Sequence, residues 1–450
     1  MNRIAGPLAA VAAFVVAAAV GLARPADPVP VPPPATAGHT SVVCPVTTGA
    51  SSVAVAGATA DLRQSGLSDP GHAAALPDAA VLPASGDPLR IAGRRGAVFG
   101  ASSAAVGDPS APGLGAISCP LAQTQAWFVG VHTGPDARAH LVLMNPDAVP
   151  AEVNLTAYGA RGQLAAPGAR GLVVGPNSQR VVDLGPLMTS STPLAVHLET
   201  SSGRVAATVQ QQLFAGTQSL GTDWIAPSSP PAGTAVVPGV PAGAGSRDLI
   251  VANPGDRVAR VRVDVLGPQG ALTPAGADSV DVPAASTAVV SLTTGLRGAG
   301  GAVRVSSDQR ITAAVEARTP GAAASVDWTG VPAVGAAADA LVPLGTPASV
   351  RGTLTLANGG TAPVTSRVEV TQGGRRTLAR EVTVRGGGSV SVALPSGAQP
   401  VVRLSGGRVA AAVALSGRVG SINGVGTVAA LGAGQAAREV AVVNDPRVGS

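Results

Sequence analysis

His132 and His140, with Asp136 between them, are the side chains whose types best suit a metal ion. Trp127-Phe-Val-Gly-Val131 and Leu141-Val-Leu-Met144 read as strands flanking a loop. Across such a hairpin the two imidazoles would face each other and Asp136 would add a carboxylate, a donor set that suits zinc. The competing reading is a solvated loop, since the matching loops of the later repeats carry no histidine. The three residues stand as metal candidates and no more than that.

Other chemistries are excluded by residue type. All 30 basic side chains are Arg, and without Lys the chain has no Walker A phosphate loop, no Schiff base and no Ser-Lys dyad. There is no Gly-x-Ser-x-Gly elbow and no His-Glu-x-x-His pair among the five histidines. Gly424-Val-Gly426-Thr-Val-Ala429 spells a dinucleotide fingerprint, but no βαβ unit surrounds it, so it reads as a turn and a strand. No catalytic residue and no cofactor is expected, and the chain reads as a non-enzyme.

The net charge of +5 comes with a 2% aromatic content. Nucleic-acid binders gather basic residues on one face and stack bases on aromatic rings, so nucleic acid is not an expected partner. Arg138, Arg247 and Arg351 recur ahead of one repeated strand, and Arg204, Arg310 and Arg408 recur in a later turn. Repetition of that kind suits structural ion pairs or edge protection. The functional alternative is a row of guanidinium groups gripping the phosphates or carboxylates of an acidic envelope polymer.

The elements that hold these residues come from an internal repeat. Leu141-Val-Leu-Met-Asn145, Leu249-Ile-Val-Ala-Asn253 and Leu354-Thr-Leu-Ala-Asn358 each read as a strand ending in an Asn turn. A second strand closes at Leu184, Leu292 and Leu394, offsets of 39, 39 and 36 residues. A third follows at Val205, Ile311 and Val409, and Asp223-Trp224 and Asp327-Trp328 mark the joints. With Gly and Pro supplying turns, the pattern predicts tandem antiparallel β-sandwich units of Ig-like kind, the alternative being a β-propeller-like closed ring. The units run 40–126 (a divergent first one), 127–234, 235–339 and 340–446. Glu439–Val443 would supply a joining strand for the last.

Residues 1–24 contain an uncharged run from Ile4 to Ala23, long enough to cross a bilayer and longer than a usual signal core. The expectation is a single-pass anchor with an extracytoplasmic body, or secretion if the helix is cleaved. Residues 25–39 form a Pro-rich stalk in polyproline II. Cys44 and Cys119, each preceding Pro in an exported chain, are expected to form one disulfide.

Signal anchor, stalk, Val42-Val-Cys-Pro45 start and the Asn145-Pro and Asn253-Pro repeats together resemble an uncharacterised family of exported actinobacterial proteins. The resemblance implies an envelope location and no known activity. The leading expectation is a non-enzymatic envelope spacer or scaffold that contacts an envelope protein or acidic polymer. An envelope glycan-binding module is the alternative and an exported hydrolase the third reading.

Overall fold

The computed structural model describes residues 39–432, apart from 47–49, 58–59, 85, 108–110, 322–324 and 396–398. The anchor predicted over 1–24, the stalk up to residue 38 and the strand at Glu439–Val443 lie outside the described residues. Among these, no helix is long and apolar enough to cross a membrane.

The described chain is almost wholly antiparallel strand, arranged as four sandwich units. In the first, His39–Cys44, Leu89–Arg94, Arg63–Gly66 and Ala74–Ala75 form one sheet, and Ala79–Pro83, Ala50–Ala56, Gly100–Val106 and Leu114–Ser118 the other. The second and fourth units repeat this plan, ending in inner strands Gln218–Ile225 and Ile422–Ala429. In the third the two sheets share one strand, Gly301–Arg318, and the inner strand is Trp328–Pro332. The sequence suggests a turn inside that long strand, as its sister units have. There Gly203 and Gly406 take φ of 67° and 99°, whereas Ser307-Asp308-Gln309 offers no glycine to break the strand.

Ala151–Gly159 alternates buried and half-buried positions, as expected of a strand with one face on a core. The repeated Asn strands do not alternate. Leu141 and Leu143 enter their own unit's core, while Val142 and Met144 pack with Val43, Leu67 and Ile117 of the first unit. Likewise Leu249 and Val251 face inward, and Ile250 and Ala252 meet Val129 and Ala195 of the second unit. Ala357 does the same against Leu266 and Ala302 of the third. A strand covered on both faces has no polar side, which is why these segments are continuously apolar.

Each repeated Asn is buried at the strand end. Asn253 donates through Nδ2 to the carbonyls of Arg257, Val282 and Pro283 and accepts the Gly255 N–H at Oδ1. Asn145 and Asn358 repeat the arrangement, so the motif is a corner that satisfies buried backbone groups.

The units also close on themselves, because the fourth returns to the first. Leu114 and Ala116 of the first unit sit in the fourth unit's core, and Ser102 and Ser118 donate to the carbonyls of Pro343 and Ala429. Each unit is a two-layered sandwich rather than a pair of propeller blades.

Cys44 and Cys119 are joined as expected, across a separation of 75 residues. Closing a loop of that size stabilises the fold by about 4 kcal/mol on chain-entropy grounds. A Cys44→Ala, Cys119→Ala variant is therefore expected to unfold at lower denaturant, with its earliest loss of amide protection in the first unit; an unchanged midpoint would contradict this.

Candidate functional site

The inner strands of the four units meet, and the residues there are those of the two Asp-Trp joints. Asp327 is fully buried and its Oδ2 accepts the Leu114 N–H of the first unit at 2.9 Å and the Val425 N–H of the fourth at 3.0 Å. Asp223 of the second unit accepts the Ala116 N–H of the first at 3.0 Å. Trp328 plugs the second unit's core and donates from Nε1 to the Gly221 carbonyl at 3.1 Å. Glycine is required beside this carboxylate. Gly221 has φ of 112°, and a Cβ there would lie 2.4 Å from Asp327 Oδ1.

Burial pushes the Asp327 carboxyl up to about 7, against the N–H bonds that favour its charged form. Asp223 is pushed well above the ordinary range, chiefly by burial, with the Asp327 charge adding to it. Asp327 Oδ1 has no protein partner among the described residues and is the atom free to carry the proton.

A second polar joint lies between the second and third units. His132 Nε2 meets Glu316 Oε2 at 2.7 Å, and Arg318 Nε donates to Glu316 Oε1 at 2.7 Å. Burial drives the Glu316 carboxyl up, but the His132 and Arg318 contacts outweigh it and hold it below the ordinary range.

Arg318 also borders a cavity of about 310 Å³ between the third and fourth units. Its wall is made by the loop ahead of Arg247–Asn253, the end of Gly301–Arg318 and the hairpin of Ala410–Val419 with Ile422–Ala429. Arg247, Arg318 and Arg418 line it with Thr319, Ser416 and Asn423, and no carboxylate does among the described residues. Arg247 is 4% exposed, and its guanidinium donates to the carbonyls of Pro241, Gly243, Ser246 and Arg318. Burial pulls its pKa below the ordinary value.

The metal candidates do not come together. His132 ends in one sheet of the second unit while Ala137–Asn145, carrying His140, belongs to the other, so the two strands are not a hairpin. His140 pairs across its sheet with Asp183 and Gln210, Asp136 is exposed, and His132 is taken up by Glu316. Among the described residues no group of three His, Cys, Asp or Glu is placed to hold a metal ion. Accordingly His132→Ala should destabilise the protein by about 1–3 kcal/mol, since it strips a partner from a buried carboxylate. His140→Ala should change the melting temperature little, and equal losses in the two variants would contradict the assignment.

The recurring arginines part ways. Arg204 forms a two-pronged pair with Asp147, Arg138 lies over the Phe214 ring at 5.1 Å, and Arg310, Arg351 and Arg408 are exposed. Of these six Arg247 alone is buried, in a cavity wall, and it stands one residue nearer its Asn than Arg138 and Arg351 do. What the sequence reading missed was the Asp of each Asp-Trp pair. Its signal was available, because an acid recurring beside a core Trp at a unit joint requires a buried partner.

The fold and joints define a closed array of four β-sandwiches. The chain belongs to a family of unknown function, DUF5719, whose model matches residues 90–395. No curated protein matches it. Among solved structures, a tetra-tandem repeat in the extending region of a large adhesion protein is similar at 14% identity, covering 87% of this chain and 93% of that one, with a TM-score of 0.10.

Proposed function

We propose that this protein is a non-enzymatic cell-envelope scaffold whose closed four-unit body holds an envelope protein or acidic polymer outside the cytoplasm. The observation that carries this reading is Asp327, a third-unit carboxyl that binds the backbone of the first and fourth units at once. Three of the four buried acids among the described residues serve joints: Asp223 and Asp327 take backbone N–H groups, and Glu316 takes His132 and Arg318, while Asp264 pairs with arginines of its own unit. A row of units suits a spacer, whereas a body whose last unit returns to its first suits a platform of fixed shape. Trp224 and Trp328 are 3% and 1% exposed, which disfavours sugar stacking on them.

The test is recovery of cross-linked partners with the tagged full chain from envelope fractions, compared with a chain whose array is opened by Asp327→Ala. Partners retained by the first and lost by the second support the scaffold. Reporter fusions that place residue 40 in the cytoplasm, or identical partners from the opened variant, would overturn it.

A further inference from the structure

The cavity between the third and fourth units has a charge imbalance that the joints do not explain. No acid is among the described residues that line it with Arg247, Arg318 and Arg418; Arg318 is already paired with Glu316, but Arg247 is almost wholly buried with only neutral carbonyls as partners. Arg304 and Arg204, also partly buried, each find a carboxylate, Asp264 at 2.7 Å and Asp147. A buried cation without a counter-charge is costly, and an anion in the cavity would supply one.

The repeat sharpens the point. Counted back from the corner asparagines, Ala139 and Gly352 occupy the position of Arg247 in the sister units, so only the third unit places a guanidinium there. A structural requirement common to the repeat would put arginine there in each unit. Only in the third unit do Ala242-Gly243-Ala244 and the fourth unit's last hairpin wrap around it, and that hairpin contributes Arg418 and Asn423.

We propose that this cavity binds a phosphate group, carried by a soluble molecule, a polymer or a lipid. Two guanidinium groups that can turn to the space, beside the buried charge of Arg247, favour a tetrahedral anion over a carboxylate, because phosphate has more oxygens to offer their forks. The Nη groups of Arg318 and Arg418 are the donors that can turn to it, since the contacts these two side chains make to protein run through Nε. Ser416 and Asn423 line the space as neutral polar groups. The volume admits the phosphate with about one sugar or glycerol attached. Such a site would give the proposed scaffold its ligand, and it can be present whether or not that scaffold reading holds.

Calorimetric titration of the full chain with inorganic phosphate and with glycerol 1-phosphate tests it apart from any partner recovery. One saturable site is expected, weakened about tenfold by Arg418→Gln, which removes one charge-assisted donor from an exposed side chain without disturbing the buried arginine. Arg138→Gln, at an exposed arginine of the second unit outside the cavity lining, is expected to leave binding unchanged. Sedimentation with phosphatidylglycerol vesicles, competed by inorganic phosphate, would identify a lipid headgroup as the source. Phosphate binding without sedimentation would identify a soluble or polymeric one. Absence of saturable binding to both phosphates, or equal affinity in Arg418→Gln, overturns the proposal.

Discussion

Asp327→Ala is expected to destabilise the protein by about 3–5 kcal/mol, although the residue belongs to no unit's apolar core. The change strands the buried N–H groups of Leu114 and Val425, each costing about 1–3 kcal/mol, and leaves a hole where the inner strands meet. Asp327→Asn is the informative companion, because its amide oxygen can still accept while the titration is gone. The folded carboxyl sits at about 7 against an ordinary 3.8. Between those values folded Asp327 holds more proton than the unfolded residue, so its contribution to stability is greatest below about pH 4 and falls as pH rises towards 7. The fall from this group is on the order of 4 kcal/mol. Asp223, shifted in the same direction, adds to it. Denaturant titrations from pH 4 to 8 should show the slope in the natural chain and a shallower one in Asp327→Asn. Identical slopes would mean that Asp327 is ionised throughout.

The second large effect is expected at Trp328. Truncation to Ala removes a ring that is 1% exposed and packed in the second unit's core, and it leaves the Gly221 carbonyl without its indole donor. The cost should be about 3–5 kcal/mol. Its location matters more than its size. A third-unit substitution that lowers the amide protection of second-unit strands Ala137–Asn145 and Ala206–Ala215 shows coupling between units, whereas loss confined to the third unit would describe beads on a string.

The sequence carried the sandwich plan because alternation and turn spacing are local properties. Cys44 and Cys119, the Asn corners and the buried Val205, Ile311 and Val409 follow from them. It also carried a sign that neighbouring units pack face to face. Leu249-Ile-Val-Ala-Asn253 has no polar face, and only a second covering layer permits that. The pairing of His132 with Glu316 was not legible, because 184 residues separate partners that only the packing of two units brings together. The third-unit cavity was hidden for a similar reason. Arg247 reads as one more arginine ahead of an Asn strand, and the cavity it lines is completed by a hairpin more than 160 residues away.

The central claim is that the four units close through Asp327. Hydrogen exchange of the full chain reads it directly at the Leu114 and Val425 amides, whose donors point to Asp327 rather than to a neighbouring strand of their own sheet. The account predicts that both exchange as slowly as core amides such as Val251 and Val413, and that Asp327→Ala speeds both together. Exchange of either amide at the rate of an open sheet edge would contradict it.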